Sequence, residues 1–278
     1  MIKRILLALL FCTAARADEP WMVLPPTPAL PHADRAATVP VNGIQLWYAI
    51  FGAGHGSPVI LLHGGLANAN YWGNQVPVLA RNHMVIVIDS RGHGRSGRNA
   101  TPISYDVMAT DVMALMDVLF LPKAAVVGWS DGAITALDLA MHHPDRVSRV
   151  FAFAANSDPS GVKDVSKSPV FNAFVARAGG EYAHLSPTPN EFAAFNAEIA
   201  KMWASQPHFS AADFGALKVP VWIVDGDHDE AIRRDNTDSM AQQIPDAREM
   251  ILPGVSHFAF LQDPAMFTTA VQAFLAGT

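Results

Sequence analysis

Short, nearly continuous apolar runs recur along this chain with helix-period segments between them, and that alternation restricts the fold more than any other feature. Val59-Ile60-Leu61-Leu62, Met84 to Ile88, Ala124 to Val127, Val147 to Ala154 and Val219 to Val224 are such runs. Runs of about four to eight apolar residues suit strands covered on both faces, as in a parallel sheet. Ile44 to Ile50, preceded by a short run at Val39 to Val41 with Asn42-Gly43 between them, reads as a hairpin. Met108, Val112, Leu115, Met116 and Leu119 share one helical face. Ile134, Leu137 and Met141 share another, and Pro144 stops that helix. Strand, helix, strand, helix with short connections predicts an α/β fold with right-handed crossovers.

Between Asn156 and Asp213 the rhythm stops. No convincing strand appears there, while Pro169 to Ala178 and Glu191 to Ala204 read as helices, split by Gly179-Gly180 and by Pro187 and Pro189. A structureless loop of that length would be unusual, so the segment is expected to form a helical cap over one end of the sheet. The predicted organisation is a core at 37–155 and 214–278 and a cap at 156–213.

The front of the chain carries an export pattern. Lys3 and Arg4 precede the apolar run Ile5 to Phe11, and Ala15-Arg16-Ala17 ends it in small residues. The run is too short for the ~20 residues a membrane span needs, so 1–17 is expected to be a signal peptide. The mature protein is then periplasmic or secreted, with no integral membrane span. Cys12, the single cysteine of 278 residues, leaves with that signal, so neither a disulfide nor a thiol nucleophile is expected. Pro20, Pro25, Pro26, Pro28 and Pro31 make 18–36 an extended arm. Half the residues are hydrophobic and the formal charge is −6 without a basic stripe, which argues against nucleic acid as a partner. The sequence assigns no oligomeric state.

Gly128-Trp129-Ser130-Asp131-Gly132 fits G-x-S-x-G directly after a strand-like run and directly before a helix. In that context a sharp turn presents the serine hydroxyl above the sheet edge, and the helix start favours developing negative charge. A serine nucleophile needs a base, and His257 follows the last strand-like run, Arg248 to Leu252. A carboxylate that orients the imidazole should follow the preceding strand, where Asp225, Asp227 and Asp229 all stand. The order serine, acid, histidine is one of three known for such triads. Two other matches carry less. Gly92 to Gly97 spells G-x-G-x-x-G, but no helix opens at once. Asp225, Asp227 and Asp229 begin like a calcium loop, but Glu230 and Asn236 break the pattern. No metal site and no cofactor are expected.

His63-Gly64-Gly65, Asp89 to Ser96, Gly128 to Gly132, Gly226 to Asp229 and Gly254 to His257 together resemble the α/β-hydrolase superfamily over about Ala37 to Leu275. The run from Gly128 to Leu137 is similar to the valacyclovir-hydrolase type of serine esterase. The resemblance implies a mostly parallel eight-stranded sheet with helices on both faces and a helical cap. It implies Asp229 as the acid, giving Ser130, Asp229 and His257 as the triad. It also implies an oxyanion hole from the backbone N–H groups of Asp131 and Gly65, with Leu66 as the neighbouring alternative. Ala133 departs from the pattern, standing where a second glycine is common. The expected activity is hydrolysis of small carboxylic esters through an acyl-enzyme. A lactonase, an aminopeptidase, a carbon–carbon bond hydrolase and a non-catalytic ligand binder are the alternatives. Asp131 is either a helix-start carboxylate or the group that receives a cationic substrate, as the resemblance suggests. Trp129, Trp72, Trp203, Phe171, Phe174 and Phe195 are candidates for the pocket wall.

Overall fold

The computed structural model describes residues 19–277, so the expected signal peptide and Cys12 lie outside the described residues. The hairpin consists of β1 (Arg35–Val41) and β2 (Ile44–Phe51). Asn42 and Gly43 turn it with φ of 45° and 77°, the left-handed geometry a two-residue turn demands. The apolar runs form β3 (Pro58–Leu62), β4 (Met84–Ile88), β5 (Ala124–Trp129), β6 (Val147–Phe153), β7 (Val221–Gly226) and β8 (Ala247–Leu252). Among the described residues they make an eight-stranded sheet in the order β1-β2-β4-β3-β5-β6-β7-β8. β2 pairs antiparallel with β1 and β4, and all other neighbours are parallel.

The helices are α1 (Val76–Leu79), α2 (Tyr105–Val118), α3 (Asp131–His142), α4 (Pro169–Leu185), α5 (Phe192–Ser205), α6 (Ala211–Gly215), α7 (Arg234–Gln243), α8 (Ala259–Gln262) and α9 (Pro264–Ala276). α3 lies across β3, β5 and β6. Phe151 and Phe153, two apart on β6 and so on one face, meet Phe267 and Phe274 of α9. Val150 and Ala152, on the opposite face, are equally buried. Both faces are covered, which is why these strands read as unbroken apolar runs rather than as alternation.

The segment between β6 and β7 holds α4, α5 and α6. One expectation is corrected here: Gly179-Gly180 does not split the first of these helices, which runs unbroken to Leu185. A glycine inside a helix costs about 1 kcal/mol, which packing offsets. The ring of Phe192 lies so close that a Cβ on Gly179 would stand 3.0 Å from it.

The Gly92–Gly97 loop wraps a buried carboxylate and opens no helix. Asp89 accepts from the Ala69 N–H, the Arg95 N–H and the Arg95 guanidinium. A Cβ on Gly94 would sit 2.4 Å from that carboxylate. Arg91 in the same loop pairs with Asp111 of α2 through Nε and Nη2 at 2.8 and 2.7 Å.

The proline-rich arm lies on the body. Arg177 of α4 donates to the carbonyls of Leu24 and Pro25. Glu181 accepts from Thr27 and from Asn68. Gln262 donates to the Val23 carbonyl, and Trp21 stacks on His228 at 3.8 Å. Among the described residues no helix is long and apolar enough to cross a membrane.

The Arg91–Asp111 pair is buried on both sides. Asp111→Ala would leave a guanidinium buried without its partner, and removing one member of such a pair costs about 3–5 kcal/mol. Urea unfolding should show a loss of that size, and a loss under about 1 kcal/mol would contradict it.

Candidate active site

β3, β5, β7 and β8 run parallel, so the loops after them gather at one edge of the sheet. This is where open α/β sheets place their sites. Ser130 ends the turn after β5 with φ 54° and ψ −119°, a sparsely populated conformation for a residue with a side chain. Its N–H donates to the Phe153 carbonyl at 2.8 Å. The glycines on either side are required by contact. A Cβ on Gly128 would lie 2.3 Å from the Gly132 carbonyl oxygen. A Cβ on Gly132 would lie 2.2 Å from the Leu62 carbonyl oxygen and 2.6 Å from that of His63. The first turn of α3 is thus pressed onto the end of β3.

His257 follows β8 and is buried. Its Nδ1 is 2.8 Å from Asp229 Oδ2, which makes Nδ1–H the donor to an ionised Asp229. Asp229 Oδ1 accepts from the N–H groups of Ala231 and Ile232. Of Asp225, at the end of β7, and Asp227 and Asp229, which follow it, Asp229 is the one bonded to His257. Asp227 is exposed and bonds His228. Asp225 is buried at the strand end, where it accepts from the Gly226 N–H and the Thr237 hydroxyl. Burial alone would lower the His257 pKa, but the Asp229 charge and bond outweigh it and hold the imidazole above its ordinary value. Burial opposes the Asp229 charge as well, and the His257 interaction wins and keeps it below its ordinary value. Burial and the adjoining Asp229 charge push Asp225 well up.

Ser130, His257 and Asp131 line one cavity of about 430 Å³. Asp131, the first residue of α3, receives the Tyr105 hydroxyl at 3.0 Å and Trp203 Nε1 at 2.8 Å. Burial pushes its pKa up to about 6 against those two hydrogen bonds. Trp203 and Phe171 from the cap also face the cavity, as do Lys163, Val165 and Ile232. Trp72 and Trp129 do not, and their expected place in the substrate pocket is corrected. Both are almost fully buried: Trp72 packs against Phe260 and Phe267, Trp129 against Tyr71, Phe174 and Phe260. Phe174 and Phe195 are core residues too.

Gly65 lies against the Asp131 carboxylate and the Trp203 ring, and a Cβ there would meet them at 2.4 and 2.5 Å. Leu66 beside it has φ 63°. The N–H of Asp131 points from a helix start, where main-chain donors lack internal partners. His63 supports this turn: Nδ1 bonds the Gly64 carbonyl, and Nε2 accepts the Ser90 N–H. Tyr105, Lys163 and Glu230 belong to the site or its wall without having been singled out in the sequence. Glu230 stands directly after Asp229 in the chain, but adjacency alone carries no role.

A family described as the α/β hydrolase fold matches residues 57–192. The chain belongs to the α/β-hydrolase superfamily. Within the superfamily, a putative carbamate hydrolase RutD from Azorhizobium caulinodans is 39% identical over 103 residues, 37% of this chain and 38% of that one. The chain spans about two fifths of the length of the first curated relatives it matches. The serine hydrolase BPHL of Mus musculus is 26% identical over 86% of both chains. The enol-lactonase structure from Burkholderia xenovorans superposes with a TM-score of 0.70 at 24% identity, covering 86% of this chain and 99% of that one.

The strain at Ser130 has a measurable consequence. Glycine adopts this backbone without a steric penalty, so Ser130→Gly should raise unfolding free energy by about 1 kcal/mol. Thermal unfolding checks this, and a variant less stable than the parent would count against a strained turn.

Proposed function

We propose that this chain is a serine hydrolase that cleaves small carboxylic esters. The observation that carries the reading is the 2.8 Å His257–Asp229 bond, with His257 sharing one cavity with a strained Ser130. With its proton on Nδ1, His257 keeps Nε2 free to take the Ser130 hydroxyl proton. Ser130 Oγ then attacks the ester carbonyl. The oxyanion faces the Asp131 N–H and the Gly65–Leu66 turn. His257 returns the proton to the departing alcohol, and water releases the acyl group by the same steps. None of these steps calls for a cofactor. A cavity of about 430 Å³ lies toward the small end of the ~300–1,000 Å³ range for ligand sites, which supports compact substrates. The expectation of export, with cleavage after Ala17, is part of the same proposal.

A second reading concerns which esters. Asp131 lines the cavity with Ser130 and is acidic, which favours esters with a cationic group near the acyl carbon. Asp131→Asn should then slow aminoacyl esters about tenfold more than acetyl esters. Equal losses on both would leave Asp131 a structural carboxylate.

The main reading is tested by labelling with a fluorophosphonate and turnover of p-nitrophenyl esters. Ser130→Ala and His257→Ala should each reduce kcat by about three orders of magnitude or more. A Ser130→Ala protein with full activity would sink the proposal. His257 acts as a base only when neutral, and its pKa is held above 6.5, so kcat/KM should rise with pH through a midpoint above that value. A midpoint below 6.5 would contradict the arrangement of charges around the ring.

A further inference from the structure

Glu230 Oε2 accepts the backbone N–H of His257 at 3.1 Å. Its other oxygen, Oε1, is buried and has no hydrogen-bond partner among the described residues. Glu230 is not among the residues that line the cavity. Glu230 is half-buried, with Oε1 out of contact with water, and its carboxyl stands beside the buried His257–Asp229 pair, where screening of its charge is weaker than in open water. The other groups that face the imidazole are Asp229 from the acid loop and Asp131 from the start of α3. Trp129, Phe171 and Phe258 supply neutral walls. Lys163, from the segment between β6 and α4, donates to the Asp229 carbonyl at 2.6 Å and brings a cation to the acid loop.

We infer that Glu230 is a positioning residue for the triad, holding the main chain of His257 and adding a further negative charge that stabilises the imidazolium during acyl transfer. The inference rests on the hydrolase reading above. Its two parts separate chemically. A glutamine keeps an oxygen for the His257 N–H and removes the charge. An alanine removes both and leaves that N–H without its acceptor.

The sign follows from the base role of His257. Less negative charge beside the ring makes the imidazolium less stable, so the proton leaves at lower pH. Burial and the Asp229 charge raise the pKa of Glu230 itself, so its own charge is complete only above that raised value. In Glu230→Gln the acid limb of kcat/KM should therefore move down by about half a pH unit or more. In Glu230→Ala, kcat should fall about tenfold below that of Glu230→Gln with KM nearly equal, because the ring is misplaced and not the substrate. The experiment is a set of pH–rate profiles on p-nitrophenyl acetate for the full chain and both variants, with Ser130→Ala alongside. A Glu230→Gln profile that superimposes on the parent overturns the inference, whatever the alanine variant does. Full activity in Ser130→Ala overturns instead the hydrolase reading on which it stands.

Discussion

The contact between the first turn of α3 and the end of β3 governs the site. Gly132 has no room for a side chain against the Leu62 and His63 carbonyls, and Gly128 has none against Gly132. This crowding forces Ser130 into its unusual backbone and turns its hydroxyl toward the cavity. It also sets the N–H of Asp131 at a helix start. A looser junction would let Ser130 relax into an ordinary helix cap. The His63 ring, bonded on both nitrogens, keeps the β3 side of the junction in place.

Around one imidazole the fold sets carboxyls in different electrostatic states. Asp229 is kept ionised by its partner, and Asp225 a short distance up the chain is pushed the other way. Burial raises Asp131 to about 6, with its proton affinity limited by Trp203 and Tyr105. Neighbouring acids with separated pKa values can take separate tasks. The separation comes from the charge each carboxyl meets: the His257 imidazole holds Asp229 down, whereas burial and the Asp229 charge raise Asp225 against its two donors.

Much of this is legible in the sequence. Strands buried on both faces leave unbroken apolar runs, so β3 to β7 could be placed from composition along the chain. Gly128 and Gly132 around Ser130 mark a turn that only small residues permit, and the motif could be read from that. The assignment of Asp229 came from family resemblance, because three acids in five residues look alike until their partners are known. The aromatic residues misled for a related reason. Trp72 and Trp129 are large enough for a pocket wall or for the core, and only neighbours such as Phe260 decide between them. Gly179-Gly180 looked like a break because propensity is local, whereas the Phe192 ring that fits against it comes from another helix. Glu230 and Tyr105 act through contacts with residues far along the chain, which leave no trace at their own positions.

The docked arm bears on the order in which the molecule is completed. Its stretch from Trp21 to Thr27 is bonded to Arg177, Glu181 and Gln262 and stacked on His228, four residues in the second half of the chain. Synthesis delivers the arm before any of these four anchors. The ends of so long a loop meet late, because closing it costs entropy that only a nearly finished body repays. The earliest segment of the described protein is therefore among the last to come to rest, and its arrival ties α4 to the loop that carries His257.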